Sequence, residues 1–201
     1  PEGALPPPDI PPDYYWRYFR TVVDTALEHH RHLFTSPELR SIETALTLPK
    51  PAQQLYVRMF TRKGDLFRRS RLDYPEIGDL EPVLEQLAAV DLVALDPPDR
   101  LAAPETLDLL TIPELRLLAA ELGISAPGRK PEVLSRLEEA DPAARAQALA
   151  AVDRFVELRR SEPFALARVV FFGNRHQDQT AFVLVDLELS AYEDYPVSQH
   201  A

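Results

Sequence analysis

The sequence predicts a mainly α-helical protein with minor strand content, on three observations. Apolar residues recur at helical spacing along most of the chain, as at Leu80, Val83, Leu84, Leu87 and Ala88. Twenty prolines against six glycines punctuate helices and offer no glycine-rich phosphate loop. Hydrophobic residues make up 45% of 201 positions, enough to bury a core for one large or two small domains.

Composition also removes several classes of protein. Zero cysteines exclude disulfides and thiolate sites and are compatible with a reducing compartment. No apolar run approaches the ~18 residues a membrane span needs. The chain opens on Pro1 without a signal-peptide pattern, so a processed chain or an excised segment is expected. A net charge of −10 favours solubility, and any case for nucleic acid must rest on local charge.

Residues 1–13 hold six prolines and predict an extended arm. Asp13 is a fitting N-cap for a helix reaching about Phe34, with Tyr15, Phe19, Val22, Ala26 and Leu33 along one stripe. Ser36-Pro37-Glu38 starts a second helix that Pro49 and Pro51 end near Leu48. A third carries Leu55, Tyr56, Met59 and Phe60 and stops before Gly64. Residues 65–72 read as a strand, 79–90 as an amphipathic helix and 90–95 as another short strand. That order suits a small winged-helix-like module. Thr111-Ile112-Pro113-Glu114 carries a capping-box pattern, and Gly123 stops the helix it starts. Pro131 opens a second short helix with Leu134 and Leu137 in its core. From Asp141 an Ala- and Arg-rich helix is predicted to about Arg160, then an apolar stretch over 164–172 and a helix around 180–189, the start of a helical array.

Charge is unevenly spread. Arg58, Arg62, Lys63, Arg68, Arg69 and Arg71 face only Asp65 within 14 positions, so the window carries +5 and the remainder −15. Helical spacing puts Arg58 and Arg62 on one edge, and strand alternation puts Arg69 and Arg71 on one face. Concentrated cations on an acidic protein suit phosphate binding, which releases counterions. A solvated face pairing with the many carboxylates is the plain alternative. Arg129 and Lys130 directly precede the second short helix, whose free N–H groups and dipole would complete an anion-binding corner.

Leu107 to Leu137, with Leu115, Gly123-Ile124, Gly128, Lys130, Leu134 and Arg136-Leu137, resembles the SAP motif, a helix-extended-helix DNA-binding module. The run from Gln54 to Arg68, then Leu72-Asp73-Tyr74-Pro75-Glu76-Ile77, is similar to the Fanconi-anaemia-associated nucleases. Phe171 to Asp178 and Tyr192-Glu193-Asp194-Tyr195-Pro196 resemble the same family, so the likeness covers roughly 14–196. The resemblance implies a structure-specific DNA repair nuclease that cuts 5′-flap and branched DNA in interstrand crosslink repair. It also implies an N-terminal helical domain over 14–103, a SAP module over 104–140 and the start of a helical-repeat region over 141–201. The VRR-Nuc domain that binds Mg²⁺ or Mn²⁺ is expected outside this segment, which alone should bind DNA and not cut it. Its own C-terminal nuclease domain and a second copy on DNA are the other expected partners. The compartment is the cytoplasm for a bacterial source and the nucleus for a eukaryotic one.

The phosphate contacts expected on this basis are Arg62, Lys63, Arg68, Arg69, Arg71, Arg129 and Lys130, with no catalytic or metal residue. Charge reversal at Arg68 and Arg69 should then weaken binding to every duplex alike. His29 and His32 lie one turn apart but lack a distant ligand cluster, and His176 beside Asp178 has no nucleophile elbow. Tyr14, Tyr15, Trp16, Tyr18 and Phe19 could stack on bases, although their spacing suits core packing. A protein-interaction module is the competing reading, favoured by the acidic remainder.

Overall fold

The computed structural model describes residues 11–173. Nine helices and three short strands are formed among them. Two compact units are present among the described residues, one of residues 36–163 and one joining 11–35 to 164–173.

In the second of these, α1 (Tyr14–His30) buries Tyr15, Tyr18, Phe19, Val22, Val23 and Ala26. The aromatic cluster at its start therefore serves largely as core, as its spacing suggested. α9 (Glu162–Phe172) brings the Phe164 ring to 5.4 Å from that of Phe19. The helix expected at 180–189 and the motifs from Asn174 onward lie outside the described residues.

The 36–163 unit starts with α2 (Ser36–Thr47) and α3 (Lys50–Phe60). Gln53 joins them, its Nε2 donating to the carbonyls of Leu46 (2.9 Å) and Leu48 (2.7 Å). Those carbonyls end α2 without helical partners, so one amide satisfies the helix C-terminus. α3 buries six of its 11 residues, Tyr56 among them. The Tyr56 hydroxyl donates to the Arg159 and Arg160 carbonyls, at 2.9 and 3.0 Å. Burial, then the Glu162 carboxylate, pushes its pKa up and keeps it a neutral donor.

β1 (Leu66–Arg68), β2 (Val93–Leu95) and β3 (Phe155–Leu158) form one antiparallel sheet in the order β1-β3-β2. Phe67 pairs with Val156 and Leu95 with the same Val156 from the other side. α4 (Leu80–Ala89) packs on this sheet after Asp79 caps it, accepting from the Glu81 N–H at 3.1 Å. The wing thus differs from the expected one. Its two early strands do not pair with each other but flank β3, which was expected inside a long helix. Asp153 ends α8 (Pro142–Val152) in an extended conformation, and Phe155-Val156-Glu157-Leu158 then gains two ladders at once. Pairing between distant segments decides the matter, and no local period reports it.

The strand predicted over 65–72 is also shorter. It stops at Arg68, and Arg69–Arg71 form a 3₁₀ turn, so Arg69 and Arg71 do not alternate along a strand. After α5 (Pro98–Ala102) and the 3₁₀ segment Pro104–Leu109, α6 (Ile112–Glu121) and α7 (Lys130–Glu138) form the helix-extended-helix pair. Glu114 accepts from the Thr111 N–H at 2.7 Å, as the capping pattern requires. Past α6, Gly123 (φ +67°) donates to the Ala120 carbonyl and Ile124 to that of Ala119, a Schellman stop that needs the left-handed glycine.

The core does not respect the boundaries expected at 103/104 and 140/141. Leu66 of β1, Leu101 of α5, Leu115, Leu118 and Ala119 of α6, Val133 and Leu137 of α7, Leu149 of α8 and Phe155 of β3 make one buried cluster. The α6–α7 hairpin is fused to the sheet through this cluster. It is not strung on a linker.

Candidate nucleic-acid interface

The basic tract runs from the last turn of α3 through the turn before β1 and β1 itself to the 3₁₀ turn after it. Its six cations are in different electrostatic states. Lys63 and Arg71 are exposed, and among the described residues neither has a carboxylate within ion-pair distance. Arg62 lies beyond the end of α3, with Nη1 donating to the Tyr74 hydroxyl at 3.1 Å and to the Arg71 carbonyl at 3.4 Å. Its guanidinium rests 5.6 Å from the centre of the Phe67 ring, so the groups that hold it are neutral. Arg58 is paired with Glu76 at 2.6 Å and lies over the Tyr74 ring.

Arg69 is half-buried and bonded to Glu81 at 2.6 Å, and Arg154 approaches the same carboxylate at 3.7 Å. Arg68 departs furthest from expectation. Only 7% of its side chain is exposed. Its guanidinium grips Glu114 with both terminal nitrogens, at 2.9 and 2.7 Å, while Nε donates to Asp153 Oδ2 at 2.8 Å. The Leu109 carbonyl accepts a further contact at 3.4 Å. A guanidinium so enclosed has no face left for a phosphate. This enclosure does not suit the phosphate contact expected of Arg68, and a charge reversal there would strike the joint before it struck DNA binding.

Arg68 and its partners hold one another ionised. The Arg68 hydrogen bonds bring Glu114 down to about 2, against the opposing effect of burial and with help from the Thr111 N–H and hydroxyl. At Asp153, burial opposes ionisation and is outweighed by the Ser70 hydroxyl, Arg68 and the N–H groups of Ser70 and Arg154, so its pKa is lowered. A depressed carboxylate contributes stability that is complete above its unfolded value near 4.5 and drains away as pH falls towards about 2. Acid titration of Glu114→Gln followed by circular dichroism should accordingly show a flatter stability profile between those values than the parent chain.

The second cationic site is the start of α7. Arg129 is exposed and Lys130 half-exposed, and Lys130 Nζ donates to the Asp108 carbonyl at 3.1 Å while leaving two N–H donors. Charge counting passed over the residues that shape this corner. Arg116 of α6 donates to the Gly128 carbonyl at 3.0 Å, and Arg136 of α7 to that of Pro127 at 2.6 Å. Their spacing alone does not separate them from solvated helix cations. Glu132 folds back to accept from the Arg129 N–H at 3.1 Å. Its carboxylate passes where a side chain at Gly128 (φ +104°) would begin, 1.7 Å from an added Cβ. Gly128→Ala should therefore cost about 1–3 kcal/mol through backbone strain and the displaced cap, read as a lowered midpoint in urea.

Arg145, missed altogether by sequence, is buried on α8 and bonds only carbonyls. They are those of Leu137 (3.1 Å), Glu138 (3.3 Å), Ala140 (3.3 Å) and Ala102. Among the described residues no group of three or more His, Cys, Asp or Glu is placed to hold a metal ion. No helix among them is long and apolar enough to cross a membrane.

Residues 13–94 match the family model described as "FAN1, HTH domain". The Fanconi-associated nuclease 1 homolog of Pseudomonas aeruginosa is 36% identical over 195 residues, which are 95% of this chain and 34% of that protein. The chain belongs to the Fanconi-associated nuclease family. Among other relatives in that family, Fanconi-associated nuclease 1 of Danio rerio is 36% identical over 136 residues, 66% of this chain and 14% of the relative. A crystal structure of paFAN1 bound to 5′-flap DNA with a 2-nucleotide flap and a gap superposes with a TM-score of 0.78 at 35% identity. That match covers 98% of this chain and 35% of the solved one. The chain thus spans about a third of the length of the bacterial Fanconi-associated nuclease it matches.

Proposed function

We propose that this chain is a DNA-binding part of a Fanconi-associated nuclease and holds duplex DNA by its phosphates. Arg62, Lys63 and Arg71 form one contact group, Arg129 and Lys130 the other, and Arg69 joins the first only by leaving Glu81. The observation that carries the reading is the exposed, uncompensated charge of Lys63 and Arg71 on a protein of net charge −10. Contacts of this kind read no base edges, which suits a protein that recognises the shape of a junction. The likeness to a structure solved with 5′-flap DNA supports the same reading, including flap and branched DNA as the substrate class. Cutting, with Mg²⁺ or Mn²⁺, is assigned to a separate nuclease domain of the parent protein. A two-metal site needs several convergent carboxylates, and among the described residues no group of three or more His, Cys, Asp or Glu is placed to hold a metal ion.

The test is charge reversal where charge is free. Lys63→Glu with Arg71→Glu should weaken binding to duplexes of unrelated sequence alike, by about tenfold or more, and lower the log–log salt slope by about 0.9 per lost contact. Fluorescence anisotropy in a salt series measures both quantities. An unchanged slope removes these residues from the interface. Binding of a protein partner that ignores salt would instead favour the interaction-module reading, which the acidic remainder of the chain keeps in play.

A further inference from the structure

Arg68 stands in the middle of the basic tract yet points away from solvent, into the joint between the sheet and the SAP-like hairpin. Its partners come from three places. Glu114 lies in the first turn of α6, Leu109 just ahead of that helix, and Asp153 between α8 and β3. Asp153 also accepts from the Ser70 N–H at 3.3 Å and from the Ser70 hydroxyl. Ser70 is flanked by Arg69 and Arg71, so the carboxylate that holds Arg68 also anchors the turn presenting Arg71.

On the other side, the carbonyl next to Leu109 is that of Asp108, which receives the Lys130 ammonium. Arg116 and Arg136 fix the Pro127-Gly128 carbonyls immediately before Arg129. A continuous chain of bonds therefore runs from Arg71 through Ser70, Asp153, Arg68 and the 108–114 segment to Lys130. Each cation group alone needs only to be exposed. The shared apolar core also joins the two sides, and the Arg68 cluster is the directional polar tie across that joint.

We infer that Arg68 is a positioning residue for DNA binding: it fixes the separation and orientation of the Arg62/Lys63/Arg71 group relative to the Arg129/Lys130 group, so that both engage one duplex together. This rests on the proposed phosphate contacts, but its geometric half does not need DNA. The physical ground is the bidentate guanidinium–carboxylate pair, which fixes direction as well as distance and is little screened when enclosed. A lysine could supply the charge but not the three-way geometry.

Two readouts separate positioning from general support of the fold. The first is a double-mutant cycle on the full chain. Arg129→Ala with Lys130→Ala should cost about tenfold in duplex affinity in the parent, and close to nothing once Arg68→Met has decoupled the two groups. Glu114→Gln, which keeps an acceptor for Thr111, is the milder variant if Arg68→Met does not fold. Equal costs in both backgrounds would overturn the inference, since residues that touch no common partner and act only through stability add.

The second readout is the distance between spin labels at Glu85→Cys on α4 and Ser135→Cys on α7, both exposed positions in a chain without native cysteine. A narrow distribution in the parent should broaden or shift in folded Glu114→Gln and Arg68→Met. An unchanged distribution in a folded variant contradicts positioning whatever the DNA result. If the labels move but the Arg129/Lys130 pair proves silent in the parent, the positioning stands and the phosphate contacts at α7 fall.

Discussion

Arg68→Met is expected to lower stability by about 3–5 kcal/mol, because it strands the Glu114 and Asp153 carboxylates in a joint built around a cation. Methionine fills much of the same volume, so the loss is electrostatic and not a cavity. Glu114 would keep only its Thr111 donors and Asp153 only those of Ser70 and Arg154, and both pKa values would rise. For a domain of this size the effect is a fall in melting temperature of roughly 10 °C or more at neutral pH. It should shrink on acidification, as protonation relieves the stranded charges. Calorimetry of the variant at neutral and acidic pH measures both parts. A melting temperature within a degree or two of the parent at neutral pH would mean that the guanidinium does not hold this joint.

Arg145→Met is the second large effect, on the order of 3 kcal/mol. Arg145 carries a buried positive charge, and every acceptor shown for it is a backbone carbonyl. Three of those carbonyls belong to the C-terminal end of α7 and the turn after it, and the fourth ends α5. Helix C-termini present partial negative charge and carbonyls without helical partners, which is what a guanidinium can neutralise and bond at once. Removing it leaves several buried acceptors unsatisfied where α5, α7 and α8 meet. The loss should be nearly independent of pH, since the acceptors do not titrate, and that separates it from Arg68→Met. Urea unfolding at pH 7 and pH 5 makes the comparison, and loss of stability at only one pH would refute it.

These two arginines also mark where the sequence could be read and where it could not. Local signals were legible because the chemistry that makes them is local. Thr111 with Glu114, Gly123 at the end of α6 and Pro131 at the start of α7 place the hairpin to within a residue or two, and Asp79 does the same for α4. β3 was not legible, since four residues after a short helix become a strand only by meeting partners 60 and 90 positions earlier. The fused core escaped for the same reason. Its residues are the expected apolar ones, but nothing in their spacing says that Leu66, Leu115 and Phe155 share one interior.

The site divides along similar lines. The charge tract correctly drew attention to residues 58–71, yet a run of cations does not reveal which of them solvent reaches. Arg68 and Arg71 look alike in sequence, and one is enclosed by two carboxylates from 46 and 85 positions away while the other is exposed. Arg116 and Arg136 were passed over for the opposite reason. They act on carbonyls of a loop whose path is fixed by left-handed glycines, and charge counting has no view of carbonyls.

The central claim is that free cations on two joined elements hold DNA by its phosphates. The most direct measurement is fluorescence anisotropy of the 201-residue chain on a 5′-flap and on a blunt duplex of equal length, from low to moderate salt. Five contacts from Arg62, Lys63, Arg71, Arg129 and Lys130 predict a log–log slope of about −4 to −5 on both. Tighter binding of the flap at the same slope would add shape recognition to this part of the protein. No binding at low salt, or binding with a slope near zero, would contradict the account.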